Sequence, residues 1–182
     1  MPTVKTIEGL ILMRRSFAIS DLHFSDGRVM EIAKRPFDDV RSMDETLIYN
    51  WNQTVKEHDN VYVVGDFCLY TMHTQEIFEA LNGNKFLIVG NHDLHDDRIF
   101  DLGWQWFMPY YELAYNEMNF VLFHYPILSW HHRDKGYIHL HGHTHSVNPL
   151  DDEAILPDNA RWKNVSCENL DYKPLSLDVF KT

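Results

Sequence analysis

The sequence predicts an α/β domain on a central sheet, with C-terminal strands adding antiparallel pairing to give a mixed sheet or two sheets. Three observations carry that expectation. Short runs rich in β-branched and aromatic residues recur along the chain, helical patterns lie between them, and metal-capable side chains follow five of the runs.

Taken in order, residues 1–13 read as a polar lead-in, and the first strand covers 17–19. Residues 43–57 place Met43, Leu47, Ile48, Trp51 and Val55 on one apolar face of a helix, with Ser42 or Asp44 as its cap. A strand over 61–64 follows. The helix over 74–81 opens at the capping-type Thr74, turns Ile77, Phe78 and Leu81 to one side, and ends at Asn82-Gly83-Asn84. Strands over 85–89, 119–123 and 137–140 come next, with Asp96-Asp97 starting a helix where acids suit the dipole. The runs at 164–167 and 174–177 read as further strands. No repeat or linker divides the chain, so 1–182 is expected to be one domain.

Composition narrows the function. The 182 residues are 45% hydrophobic and 24% charged, ordinary globular values that exclude a disordered chain. Sixteen Lys and Arg against 27 Asp and Glu give a net charge of −11, which disfavours broad binding to duplex nucleic acid or an anionic membrane. Cys68 and Cys167 are the two cysteines, so no disulfide framework is expected and a reducing, cytoplasmic setting is. No apolar run is long enough to span a bilayer, and the short stretch at 9–13 makes a poor signal peptide. Twelve histidines are the unusual number.

Many of them stand after strands. Asp21-Leu22-His23 follows the first, Gly65-Asp66 the second, Gly90-Asn91-His92-Asp93 the third, His124-Tyr125-Pro126 the fourth, and His141-Gly142-His143-Thr144-His145 the fifth. Ligands of open α/β sheets bind at the carboxyl ends of strands. A carboxylate such as Asp66 has two oxygens and can bridge two cations. Asn91 adds a neutral oxygen, and imidazoles suit zinc, iron and similar ions. Glycines 65, 90 and 142 let backbone approach closely.

Together these motifs, spanning residues 21 to 145, resemble the calcineurin-like metallophosphoesterases. A further likeness to a small bacterial and phage branch lies in Ser20–Phe24, Arg35-Pro36-Phe37, Met43-Asp44-Glu45 and His124-Tyr125-Pro126. The resemblance implies a four-layer αββα sandwich with mixed sheets. It implies one metal held by Asp21, His23, Asp66 and His145, and another held by Asp66, Asn91, His124 and His143. The expected cofactors are two divalent ions, Mn²⁺ first, with Fe, Zn, Ni or Co as alternatives. Such a pair acidifies a shared water and clamps phosphoryl oxygens for direct attack, so no Ser or Cys nucleophile is called for. At the position of His92 the family has a residue that protonates the leaving oxygen or stabilises transition-state charge. Some members orient it with an acid three residues after the bridging aspartate. That position is Leu69 here, leaving Asp93, another carboxylate or a backbone carbonyl to do so.

The other conspicuous residues divide. His139 and His141 alternate on a strand and read as core or supporting histidines, while His58, His73 and His95 read as surface. His131-His132-Arg133 is either a solvated loop tip or a substrate contact. Arg28 is either a phosphate contact or a helix-end charge, so Arg28 and Arg133 are the candidate substrate-binding residues. Trp104, Trp106 and Phe107 read as a core edge, and residues 151–153 as a solvated acidic loop. The expected substrate is a small phosphate ester, preferably a diester. The alternatives are a nuclease, against which the charge counts, and a scaffold of the same fold, against which the intact ligand set counts.

Overall fold

A computed structural model describes residues 14–145 and 161–181. The lead-in at 1–13 and the acidic run at 151–153 lie outside them. Among the described residues, nine strands form two mixed sheets. The first has the order β4(Phe107–Met108), β3(Asn84–Ile88), β2(Asn60–Val63), β1(Ser16–Ile19), β9(Leu175–Ser176); it is parallel except for β9, which runs antiparallel to β1. The second has the order β5(Tyr110–Tyr115), β6(Met118–Phe123), β7(Ile138–His141), β8(Trp162–Asn164); β5 is antiparallel to β6, and β6, β7 and β8 are parallel.

Strands alternate their side chains between two faces, and here both faces of each sheet are covered. Phe17, Ile19, Val61, Val63 and Leu87 point from the first sheet into a core shared with the helices, whose Val29, Met43, Leu47, Trp51 and Phe78 fill it. The helices are α1(Gly27–Ile32), α2(Val40–Thr54) and α3(Thr74–Ala80). Ala18, Tyr62, Val64 and Ile88 point the other way, against Leu113, Phe120, Leu122, Ile138 and Leu140 of the second sheet. Behind that sheet Val121 and Trp130 pack with Ile127, Tyr137 and Trp162. Helix–sheet–sheet layering is therefore in place, and among the described residues a loop carrying Trp130 covers the outer face of the second sheet.

Several local expectations need correction. Asp39, not Ser42 or Asp44, caps α2: its backbone is extended, its carboxylate accepts the Ser42 amide at 2.7 Å, and the Ser42 hydroxyl answers as the third helical residue. The helix stops at Thr54 because Val55 turns extended into the core, where it is fully buried. Thr74 opens α3 as its first helical residue rather than its cap, its hydroxyl accepting the Thr71 amide at 2.8 Å. Gly83, at φ +91°, does turn the chain between α3 and β3. Asp96 starts the 3₁₀ helix Asp97–Asp101 by accepting the Arg98 amide. β8 sits two residues earlier than its predicted run, and Cys167 opens a 3₁₀ turn instead. Trp104 packs among Phe67 and Phe78, and Trp106 among Tyr62, Phe86 and Tyr111, as core-edge residues; Phe107 is half exposed on β4.

Candidate metal centre

The carboxyl ends of β1, β2, β3, β6 and β7 come together at one end of the two sheets, and beyond them the ladders persist. The Asp21 amide donates to the Gly65 carbonyl at 3.0 Å, that of His23 to Asp66 at 3.1 Å, and that of Gly142 to His124 at 2.9 Å. The chain after β8 joins them, the Ser20 amide donating to the Val165 carbonyl at 2.8 Å.

Asp21, His23, Asp66, His143 and His145 all have positive φ, between 48° and 71°. Non-glycine residues enter that region rarely and at a cost of roughly 1–3 kcal/mol each. Side chains leaving such backbone turn back over the strand ends, and that convergence is what the strain secures. Glycines make room for it. A Cβ at Gly65 would overlap the His124 ring, and one at Gly142 would overlap the Ser20 hydroxyl and the Asp21 carboxylate.

Asp21, His23 and His145 each offer a ligand atom within 4.8 Å of the others, and so do Asp21, Asp66 and His124. Asp66 Oδ2 stands between the groups, 3.6 Å from His23 Nε2 and 3.4 Å from His124 Nε2. Asn91 Oδ1 lies 3.0 Å from both His124 Nε2 and His143 Nδ1. The seven expected ligand residues thus lie together, and five of them, His23, Asp66, Asn91, His143 and His145, line one cavity, while Asp21 and His124 are fully buried behind it. His92 joins them, its ring 4.8 Å from that of His23. Among the described residues His23 Nε2 is buried and finds no hydrogen-bond partner, which suits an imidazole that takes a cation.

The electrostatics fit that reading. Burial drives His23 down to about 4, leaving it neutral and able to ligate. Burial alone would raise Asp66, but the His124 hydrogen bond, the charges of His124 and His23, and the His92 amide bring it down to about 2. Before a cation binds, His124 titrates at about 9, because the pull of Asp66, Asp21 and the Val64 carbonyl outweighs its burial. An imidazole ligates only when neutral, so if His124 holds a cation, uptake below about pH 9 would expel this proton. Metal affinity is therefore expected to rise with pH by up to about tenfold per unit and to level off near 9. Titration calorimetry in buffers of different ionisation heat checks this, and uptake without proton release contradicts it.

The calcineurin-like phosphoesterase family matches residues 15–176. This chain belongs to that family. Membership implies divalent metal ions, and the clustered Asp, His and Asn side chains are a donor set suited to them. The chain is 36% identical over 170 residues to the uncharacterized protein MJ1445 of Methanocaldococcus jannaschii, the match covering 92% of this chain and 89% of that one. It is 31% identical over 166 residues to the gene 66 protein of Mycobacterium phage L5, covering 74% and 79%. Its fold is that of the protein of unknown function AQ665 from Aquifex aeolicus, at 23% identity and a TM-score of 0.73, covering 91% and 97%.

The two candidate arginines part company. Arg28 lines the cavity with His23, Asp66, Asn91 and His92, although its guanidinium is tied to Asp26. Arg133 is not among the residues of that cavity and donates to the Leu128 carbonyl in the loop after β6. His131, beside it, contacts exposed Glu112 at 2.9 Å. His139 and His141 are fully buried on β7, while His58, His73 and His95 are exposed.

Two supporting residues, Glu168 and Arg35, have no role assigned from sequence, and a third, Asp93, is a sequence candidate for orienting His92. Glu168 Oε1 accepts His145 Nδ1–H at 2.9 Å, which turns Nε2 toward Asp21. Buried Arg35 binds Glu168 at 2.7 Å and the Asp21 carbonyl at 2.5 Å, and with His145 it brings Glu168 down to about 2 against the effect of burial. Asp93 accepts the amides of Asp66, Phe67 and Gly90 at 2.8–2.9 Å, so its oxygens hold the loops together. Conspicuous in sequence were only Arg35 and Asp93, each inside a motif; Glu168 lies past the last motif and carries no signal.

Proposed function

We propose that this protein is a two-metal phosphoesterase that hydrolyses small phosphodiesters with water as the nucleophile. The observation that carries the reading is Asp66 Oδ2 standing between His23 Nε2 and His124 Nε2, where one carboxylate can serve two cations. Asp21, His23, Asp66 and His145 would hold one ion, and Asp66, Asn91, His124 and His143 the other, with Mn²⁺ first among the metals. Such ions, when bound, acidify a water and neutralise phosphoryl oxygens.

The chain's own residues supply the rest. Asn91 brings an oxygen without charge, which limits the negative charge facing an anionic substrate. His92, on the cavity wall beside Asn91, delivers a proton to the departing ester oxygen as the phosphorus–oxygen bond breaks and the water oxygen bonds to phosphorus. Neither cysteine is fit to act as nucleophile, since burial pushes the Cys68 thiol up to about 12 and Cys167 higher than its ordinary range. A cavity of about 240 Å³ has room for a phosphoryl group and a small substituent, and the net charge of −11 speaks against a polymer.

The test is one comparison. Chelated protein is expected to be inactive, and Mn²⁺ is expected to restore hydrolysis, with an aryl phosphodiester turned over faster than an aryl phosphomonoester. Undiminished activity in the chelated, metal-free protein defeats the mechanism. A preference for the monoester defeats the substrate assignment.

A further inference from the structure

Leu69 stands where some family members carry the acid that orients the histidine at position 92. The structure puts another carboxylate beside that ring. His23, Asp26 and His92 each bring a ligand-capable atom within 4.8 Å of the others. Asp26 is 4% exposed and caps α1. Its Oδ1 accepts the Arg28 amide and Nε–H, both at 3.0 Å, and its Oδ2 accepts Nη2–H at 3.1 Å. Each carboxylate oxygen has two lone pairs, so Oδ2 keeps one to offer. The Arg28 fork holds the rotamer while leaving that lone pair open.

His92 needs such a partner. Its backbone N–H is fixed by Asp66 Oδ1 at 2.8 Å, but what its ring meets is the edge of His23 and, at 5.2 Å, the ring of His95. The neighbouring Asp93, 0% exposed, holds the amides of Asp66, Phe67 and Gly90 and does not line the cavity that His92 faces. Asp26 and His92 are also the two residues shared by the metal-side cavity and a second one of about 100 Å³ lined by Cys68, Leu69, Tyr70 and Ile99. The pair therefore lies on the wall common to both cavities.

We infer that Asp26 is the positioning residue for His92, in place of an acid at 69. The inference rests on the proposed role of His92. An imidazole with one nitrogen held by a carboxylate presents the other in a fixed direction and tautomer. A span of up to 4.8 Å is closed by rotation of the His92 ring or by one bridging water.

A double-mutant cycle on an alkyl phosphodiester, with Mn²⁺-loaded protein, tests it. Asn caps a helix as well as Asp does, so Asp26→Asn keeps α1. It is expected to lower kcat roughly 10–100-fold with KM and metal content unchanged, as part of the about 10²–10⁴-fold lost in His92→Ala. Adding Asp26→Asn to His92→Ala is expected to cost nothing further, and Leu69→Asp is expected to rescue Asp26→Asn. Ring ¹⁵N spectra of the Zn²⁺-loaded protein give a second readout: one His92 tautomer in the wild type, a mixture in Asp26→Asn. Additive losses, an unchanged tautomer, or metal lost from Asp26→Asn each overturn the inference. A His92→Ala rate equal to wild type, with the tautomer still dependent on Asp26, overturns the catalytic role of His92 instead and leaves the positioning intact.

Discussion

Asp66→Asn is expected to abolish turnover more completely than a change at any other single ligand. The carboxylate is 1% exposed, lies between His23 Nε2 and His124 Nε2, and receives the His92 amide at 2.8 Å on its other oxygen. An amide at this position keeps one neutral oxygen and presents an NH₂ group, with two protons, to a neighbour that needs an acceptor. Both proposed cations lose a charged ligand at once. If the charge stabilisation lost is about 4 kcal/mol, within the several that metals supply, the rate falls about 10³-fold. His145→Gln removes a ligand from one cation only and is expected to leave one ion tightly held. Elemental analysis of dialysed protein separates the two. Two ions retained by Asp66→Asn would show that Asp66 is not the bridge.

The fold and the site were legible to different degrees, and for different reasons. β1, β2, β3, β6 and β7 are buried strands rich in Val, Ile, Leu and Phe, and the site residues are the ones that directly follow them. What escaped was structure without a hydrophobic signal. β5 is an edge strand whose one buried residue is Leu113, and it is joined to β6 by a turn in which Asn116 and Glu117 both have positive φ. α1 is six residues long with Val29 alone buried, too short for a period to show. The Asp39 cap was missed because its partner Ser42 looked like the cap itself. The supporting shell escaped for another reason: Glu168 reaches His145 across 23 residues and Arg35 across 133, distances at which spacing carries no information.

The buried Arg35 gives the largest effect on stability. Its side chain is fully enclosed, and its hydrogen bonds go to Glu168, to the Leu22 and Asp21 carbonyls and to Cys167. Arg35→Ala leaves the Glu168 carboxylate buried at 2% exposure with His145 and the weakly donating Cys167 thiol as partners, and it removes the guanidinium from the Leu22 and Asp21 carbonyls. Breaking a buried pair in this way costs about 3–5 kcal/mol, which for a chain of this length is roughly 6–20 °C in Tm. The loss should have a second component. Glu168 no longer braced by Arg35 holds the His145 ring less firmly, and partners of this kind typically contribute about 10–100-fold in metal affinity. Glu168→Gln isolates that component, because glutamine keeps the volume and an acceptor while losing the charge. Thermal unfolding with and without Mn²⁺ distinguishes the two variants: Arg35→Ala is expected to lower Tm in both conditions, and Glu168→Gln chiefly to shrink the gap between them. A wild-type Tm for Arg35→Ala would mean that the guanidinium's desolvation cancels everything it binds. An undiminished Mn²⁺ shift in Glu168→Gln would mean that His145 is oriented by its strained backbone alone.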